Sequence, residues 1–154
     1  MTYKEAKAWA EDLCSRAEYS SGEIRQRLLR KEISPDIAER IISELICARF
    51  IDDARFARAF VHQKVKYARW GRRKIAAALF QKGVGREQIN DALNEIDHDE
   101  YIEGLAELLR SKMRSLRVNA DNLNFESKRK LYNFAAQRGF ESSAVGEAMG
   151  KWRI

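Results

Sequence analysis

The chain holds one proline and eight glycines in 154 residues. That excludes a collagen-like repeat and a Pro/Gly-rich disordered segment. Two cysteines cannot build a disulfide framework. Cys14 and Cys47 read instead as small buried apolar residues. Only His62 and His98 could join them around a metal, and the spacing of the four matches no metal site. No apolar run reaches the length of a membrane span. The opening MTYKEAKAWAEDLCSRAEY is charged throughout and lacks the apolar core of a signal peptide, so a cytoplasmic protein is expected. Alternating β-branched runs are missing, which excludes a sheet. So are a P-loop, a Gly-rich dinucleotide turn after a strand, HExxH, and a Ser/His/Asp arrangement. The expectation is a non-enzyme that needs no metal and no cofactor.

One further absence is local. Between Asp53 and Glu87 stand ten Lys or Arg residues and no acid. Around this stretch the charge comes in blocks. Residues 1–50 balance nine bases against nine acids, residues 87–109 hold eight acids and no Lys or Arg, and residues 110–154 hold ten bases against four acids. Net charge is +6. Blocks of this kind suit a molecule with one face toward a polyanion and another toward water or a basic protein surface.

The sequence repeats. Ile24, Leu28 and Ile33 align with Ile75, Leu79 and Val84, and these with Leu131, Ala135 and Phe140. Lys74 then falls on Lys130, Lys82 on Arg138, and Gly83 on Gly139. The following segments share one apolar spacing: Ala38, Ile41, Ile42, Leu45; Ile89, Ala92, Leu93, Ile96; and Val145, Ala148, Met149, Trp152. That spacing puts four side chains on one helix stripe. Ser20, Gly71 and Ser127 occupy equivalent N-cap positions. Ser20 with Glu23 forms a capping box, and Ser34-Pro35 reads as an N-cap followed by Pro at the first helical position. An earlier helix precedes each pair. It is marked by Phe56, Ala57, Phe60, Val61, Val65 and Ala68 in the middle repeat, and by Ile102, Leu105, Leu109, Met113 and Leu116 in the last. Around Trp9 and Leu13 its pattern is weaker. The expected fold is all-α: three tandem three-helix, helix-turn-helix-like repeats over residues 1–50, 51–98 and 99–154. Units this small gain stability by stacking, which predicts an elongated, curved array.

Within the acid-free stretch, Arg55, Arg58, His62, Lys66 and Arg69 recur at 3, 4, 4 and 3 residues, one stripe of an α-helix. Arg72, Arg73 and Lys74 open the next helix, where free N–H groups favour a phosphate. Lys82 and Arg86 flank the following turn. A solvated face normally mixes signs, because like charges one turn apart repel. This one-signed stripe therefore reads as a polyanion or acidic-protein contact rather than as a solvated face. Six phosphate contacts would give a salt slope of roughly −4 to −5, without base specificity. Tyr67 and Trp70 beside the stripe are candidates for stacking on unpaired bases; for Trp70, packing at the helix corner is the favoured reading. Asp52-Asp53 reads as an N-cap for a helix beginning at Ala54 rather than a Mg²⁺ site. Asp97, Asp99 and Glu100 suit a helix start. Asp91, Glu95, Glu103 and Glu107 either meet a basic protein surface or pair with bases of a neighbouring repeat.

Phe50-Ile51-Asp52-Asp53-Ala54-Arg55-Phe56-Ala57, then Trp70-Gly71-Arg72-Arg73-Lys74-Ile75, then Gln81-Lys82-Gly83-Val84, resemble the RecX family of bacterial regulatory proteins. Arg138-Gly139-Phe140 looks like the family's third-repeat turn, and Ser20 through Leu28 like its first. The family commonly has Pro where Arg72 stands, and a larger residue where Ala135 stands. The resemblance implies a monomeric modulator of the RecA recombinase, a partner in DNA repair, homologous recombination and the SOS response. Such proteins bind the RecA–single-stranded DNA filament, block its growth, lower its ATPase, strand-exchange and coprotease activities, and bind DNA weakly. The alternative is a helix-turn-helix transcriptional regulator built on the turn at Lys82-Gly83-Val84. The helix after that turn is acidic, where a recognition helix needs donors.

Overall fold

The computed structural model describes residues 1–151. Among them the secondary structure is helical throughout, with no strand. The helices are α1 (Tyr3–Arg16), α2 (Ser21–Arg30), α3 (Pro35–Cys47), α4 (Asp53–Gln63), α5 (Arg72–Gln81), α6 (Arg86–Asn94), α7 (His98–Leu116), α8 (Phe125–Gln137) and α9 (Ser142–Gly150). A π-helical turn, Lys64–Ala68, continues α4.

The helix starts follow from side chains that satisfy free N–H groups. Ser20 Oγ accepts the Glu23 N–H while Glu23 reaches back to the Ser20 N–H, a complete capping box worth about 1 kcal/mol. Ser34 caps α3 ahead of Pro35. Asp52 caps α4, as the Asp52-Asp53 pair predicts, its carboxylate taking the Arg55 N–H at 3.0 Å, and the helix begins at Asp53. One start differs from expectation. Asn124, rather than Ser127, caps α8, and Ser127 donates its N–H to the Asn124 side chain at 2.9 Å.

By contacts the chain forms two compact units. One is residues 1–59 with 79–92; the other is residues 60–78 with the chain from Leu93 onward. In the first unit, Ala6, Ala10, Ile24, Leu28, Ile33, Ala38, Ile41, Ile42, Leu45 and Ile51 form one core cluster. Alanines carry the buried face of α1, with Trp9 and Leu13 half-buried beside them, which explains its faint hydrophobic pattern. In the second unit, Tyr101, Ile102, Leu105, Leu109 and Met113 of α7 pack with Leu131, Ala135, Phe140, Val145, Ala148 and Met149. The aligned positions of all three repeats are buried: Ile24, Leu28 and Ile33; Ile75, Leu79 and Val84; Leu131, Ala135 and Phe140. Trp152, the last position of that pattern, lies outside the described residues. Cys14 is half-buried, and burial pushes its thiol pKa up; Cys47 is exposed, contrary to expectation.

Each unit contains the same backbone-to-backbone junction. In the first, Gly83 takes φ +79° in the turn before α6 and lies against Gly22. A Cβ on Gly22 would sit 2.5 Å from the Lys82 carbonyl oxygen. Ser20 Oγ donates to that same carbonyl. In the second, Gly139 takes φ +93° in the turn before α9 and lies against Gly71. Here the Gly71 N–H donates to the Arg138 carbonyl at 2.7 Å. Lys82-Gly83 and Arg138-Gly139 are the turns that the repeat alignment superimposes, so one device serves twice.

Candidate nucleic-acid interface

The acid-free stretch is only partly unpaired in three dimensions. In the first unit, Arg55 Nε lies 2.8 Å from Glu18 and Lys82 Nζ 3.2 Å from Glu23. Both acids precede the stretch by about thirty residues or more, so the local sequence does not reveal them. Arg58 and Arg86 are exposed. Asp53 is held by Ser21, whose N–H and hydroxyl donate to its two oxygens at 2.7 and 2.5 Å. Its carboxylate is thus occupied by protein donors.

The single stripe predicted from 3.6-residue periodicity does not continue past Gln63. A π turn takes one more residue than an α turn, so Lys66 leaves the register set by Arg55, Arg58 and His62. Arg69 then adopts left-handed φ of +57° and ends the helix. Its guanidinium lies over Gly104 of α7 and pairs with Glu107 at 2.8 Å. Glu107 therefore answers a base of the preceding segment. Glu103 lies 3.5 Å from Arg110 on its own helix. Asp91 and Glu95 are exposed.

The start of α5 is also not an open phosphate site. The N–H of Gly71 goes to the Arg138 carbonyl at 2.7 Å, that of Arg72 to Tyr101 Oη at 2.9 Å, and that of Arg73 to the Gly139 carbonyl at 3.0 Å. The donors expected to hold an anion are spent on packing. Arg72 is built into the same knot. Its guanidinium stacks 4.1 Å from the Tyr101 ring centroid and reaches Glu141 at 3.1 Å, while Tyr101 Oη donates to Glu141 at 2.7 Å. Burial first, and then the bond to Glu141, raises the Tyr101 pKa well above the usual tyrosine range, so the hydroxyl stays a donor.

What remains in the second unit is a compact cationic and aromatic cluster. Trp70 packs edge-on against Phe60, with centroids 6.3 Å apart. Lys64 and Lys74 bring their ammonium groups to 4.5 and 4.4 Å from the Trp70 ring. Trp70 is half-buried, as its predicted corner position requires. Tyr67 is 71% exposed, with Lys66 Nζ 5.8 Å from its ring. Arg73 and Lys74 are exposed on the first turn of α5. Lys64 is the member that sequence reasoning missed. It falls off the 3-4-4-3 stripe, and only the π turn with the left-handed Arg69 brings it back onto Trp70.

Sequence profiles described as "RecX, first three-helix domain" and "RecX, second three-helix domain" match residues 6–45 and 52–93. The regulatory protein RecX of Chromobacterium violaceum is 32% identical over 146 residues, 95% of this chain and 90% of that protein. The chain belongs to the RecX family. The regulatory protein RecX of Clostridium acetobutylicum is 29% identical over 149 residues, and this chain spans 68% of its length. The crystal structure of RecX from Lactobacillus salivarius matches with a TM-score of 0.87 at 18% identity, covering 97% of this chain and 95% of that one. A second RecX crystal structure matches at 0.84 and 23% identity, over 94% of this chain and 70% of that one. At these identities the two structures establish a shared RecX fold. The second RecX domain, residues 52–93, includes the whole cationic and aromatic cluster.

Proposed function

We propose that this RecX-family chain is a negative regulator of RecA. It binds the RecA–single-stranded DNA filament, blocks its extension, and so lowers ATPase, strand-exchange and coprotease activity. It acts by binding rather than by chemistry, in the cytoplasm. The observation that carries this reading is the cluster of Lys64, Lys66, Arg73 and Lys74 around Tyr67 and Trp70, inside a RecX domain.

Exposed cations beside an exposed aromatic ring suit an unpaired strand: the ammonium groups meet phosphates, and the Tyr67 ring offers a face to a base. The site is thereby narrower than the stripe. Lys66, Arg73 and Lys74, with Arg58 and Arg86, are the contact candidates. Arg55, Arg69, Arg72 and Lys82 serve the fold through their carboxylate partners. The exposed acids Asp91 and Glu95 remain available for a basic protein surface. A transcriptional regulator is disfavoured, because α6 exposes Glu87, Asn90 and Asp91 where a recognition helix would meet phosphates and base edges.

The test is a titration of RecA's DNA-dependent ATPase. The chain should suppress it at well below one molecule per RecA. No suppression at equimolar protein would exclude the proposal.

A further inference from the structure

The repeat alignment places Glu23 on Lys74 and Lys82 on Arg138. The structure gives each pair the same position in its unit. Glu23 and Lys74 are the third residues of α2 and α5, and Lys82 and Arg138 are the first residues after α5 and α8. In the first unit the two side chains meet across the junction, with Lys82 Nζ 3.2 Å from Glu23. In the second unit a base stands where the acid was, so Lys74 and Arg138 flank the junction as two cations.

Their backbones adjoin. The Gly71 N–H donates to the Arg138 carbonyl at 2.7 Å, the Arg73 N–H donates to the Gly139 carbonyl at 3.0 Å, and a Cβ on Gly139 would collide with Lys74. Each cation rests on a ring. Lys74 Nζ lies 4.4 Å from the Trp70 centroid, and the Arg138 guanidinium 5.0 Å from that of Phe134. Lys112 Nζ sits 5.3 Å from the same Phe134 ring. Lys112 and Arg138 are therefore no more than about 10 Å apart, roughly one Debye length at 0.1 M salt. Glu141, three residues after Arg138, is occupied by Arg72 and Tyr101. A base in the first turn of a helix also opposes the helix dipole, which favours an acid there. Fold stability accounts for Glu23 and leaves Lys74 unexplained.

We propose that Lys74 and Arg138 bridge one phosphodiester group of an unpaired nucleic-acid strand, which carries the interface across the Gly71–Gly139 junction into the third repeat. The inference rests on the reading of the Trp70 cluster as a strand contact. In the first unit the corresponding arms meet directly, acid to base. Two cations in those places are satisfied by an anion that accepts from both. Arg138 offers a phosphate paired donors, and Lys74 a point charge. Trp70 immediately precedes Gly71, so a strand held by Lys64, Lys66 and Trp70 arrives at the junction directly. That continuity selects a phosphodiester over a protein carboxylate. The first N–H groups of α5 take no part, because the Arg138 and Gly139 carbonyls and Tyr101 hold them.

The experiment uses the full chain and a fluorescein-labelled oligothymidine strand titrated over a range of salt. Arg138→Gln should flatten the log–log salt slope by roughly 0.7, as expected for one phosphate left unneutralised. Arg138→Lys, which keeps the charge, should retain the parent slope. The Lys74→Gln, Arg138→Gln double variant should flatten it by the same roughly 0.7, because both arms serve one phosphate. Twice that loss would give the arms separate phosphates and overturn the bridge. A second arm needs no strand. Lys74→Glu should recreate the first unit's ion pair and raise the thermal midpoint by roughly 1–4 °C over Lys74→Gln. An equal gain in an Arg138→Gln background would show that the arms do not meet, and would also overturn the bridge. A slope moved by Lys66→Gln and unmoved by Arg138→Gln would overturn it alone, while a parent that binds no oligothymidine would remove the Trp70 reading together with it. Tight binding of an oligo-aspartate peptide or of inorganic phosphate, lost in Arg138→Gln, would assign the arms to a different anion and overturn the proposal.

Discussion

The hydroxyl of Tyr101 accepts the backbone N–H of Arg72 at 2.9 Å. A side chain of α7 thus completes the first turn of α5 and directs its own proton to Glu141. Any residue other than Pro brings an N–H to this first turn, and Tyr101 supplies the acceptor for that of Arg72.

Tyr101→Phe should therefore destabilise the protein by about 1–3 kcal/mol, because it leaves the Arg72 N–H and Glu141 without their shared partner. Urea unfolding followed by far-UV circular dichroism measures this. A variant as stable as the parent would show the knot to be energetically neutral.

The junction glycine Gly139 and the helical Gly146 predict changes of opposite sign. Gly139→Ala should cost more than about 2 kcal/mol, since its φ is +93° and a Cβ would collide with Lys74. Gly146→Ala should stabilise by roughly 0.5–1 kcal/mol, since the position lies within α9 and a Cβ would meet Tyr132 Oη at an ordinary 3.7 Å. Thermal denaturation of the two variants separates a close backbone approach from a generic helix-propensity effect.

Charge substitutions distinguish binding cations from structural ones. Replacing Lys66 or Lys74 by Gln should flatten the salt dependence of oligothymidine binding by roughly 0.7 in log–log slope for each phosphate left unneutralised. Arg72→Gln should leave that slope unchanged while lowering stability, because its partner is Glu141. A slope change at Arg72 equal to that at Lys74 would return Arg72 to the interface.

A pH dependence follows from Glu44. Lys7 at 2.7 Å is the main cause, and Tyr3 and Arg40 add to it; together they bring its pKa from 4.5 down to about 2. A depressed carboxylate pKa contributes stability that is complete above the unfolded value and lost as pH falls through the folded one. The stability gap between the parent and Glu44→Gln should therefore be widest above about pH 4.5 and close toward about pH 2. Urea midpoints across that range test it; a gap that stays constant would remove Glu44 as the titrating group.

Helices and turns were legible wherever a local rule acts alone. The capping box at Ser20, the Ser34-Pro35 start and the three aligned apolar sets rest on interactions within a few residues, and all three are found as read. The candidate site was legible only as a region. Its ten bases looked unpaired because Glu18, Glu23, Glu107 and Glu141 are distant in sequence, and folding brings one of them to each of Arg55, Lys82, Arg69 and Arg72.

By itself, then, the sequence determined the all-helical repeat pattern, the RecX resemblance and the basic character of residues 54–86. These depend on periodicity and composition, which act locally. The tertiary structure decided which cations stay exposed, that the first N–H groups of α5 are taken, and that Lys64 rather than Arg69 joins Trp70. Those outcomes depend on a π turn that shifts register and on carboxylates and carbonyls from remote segments. Ion pairing and N–H satisfaction are set by distance in space, and a one-dimensional charge pattern does not encode it.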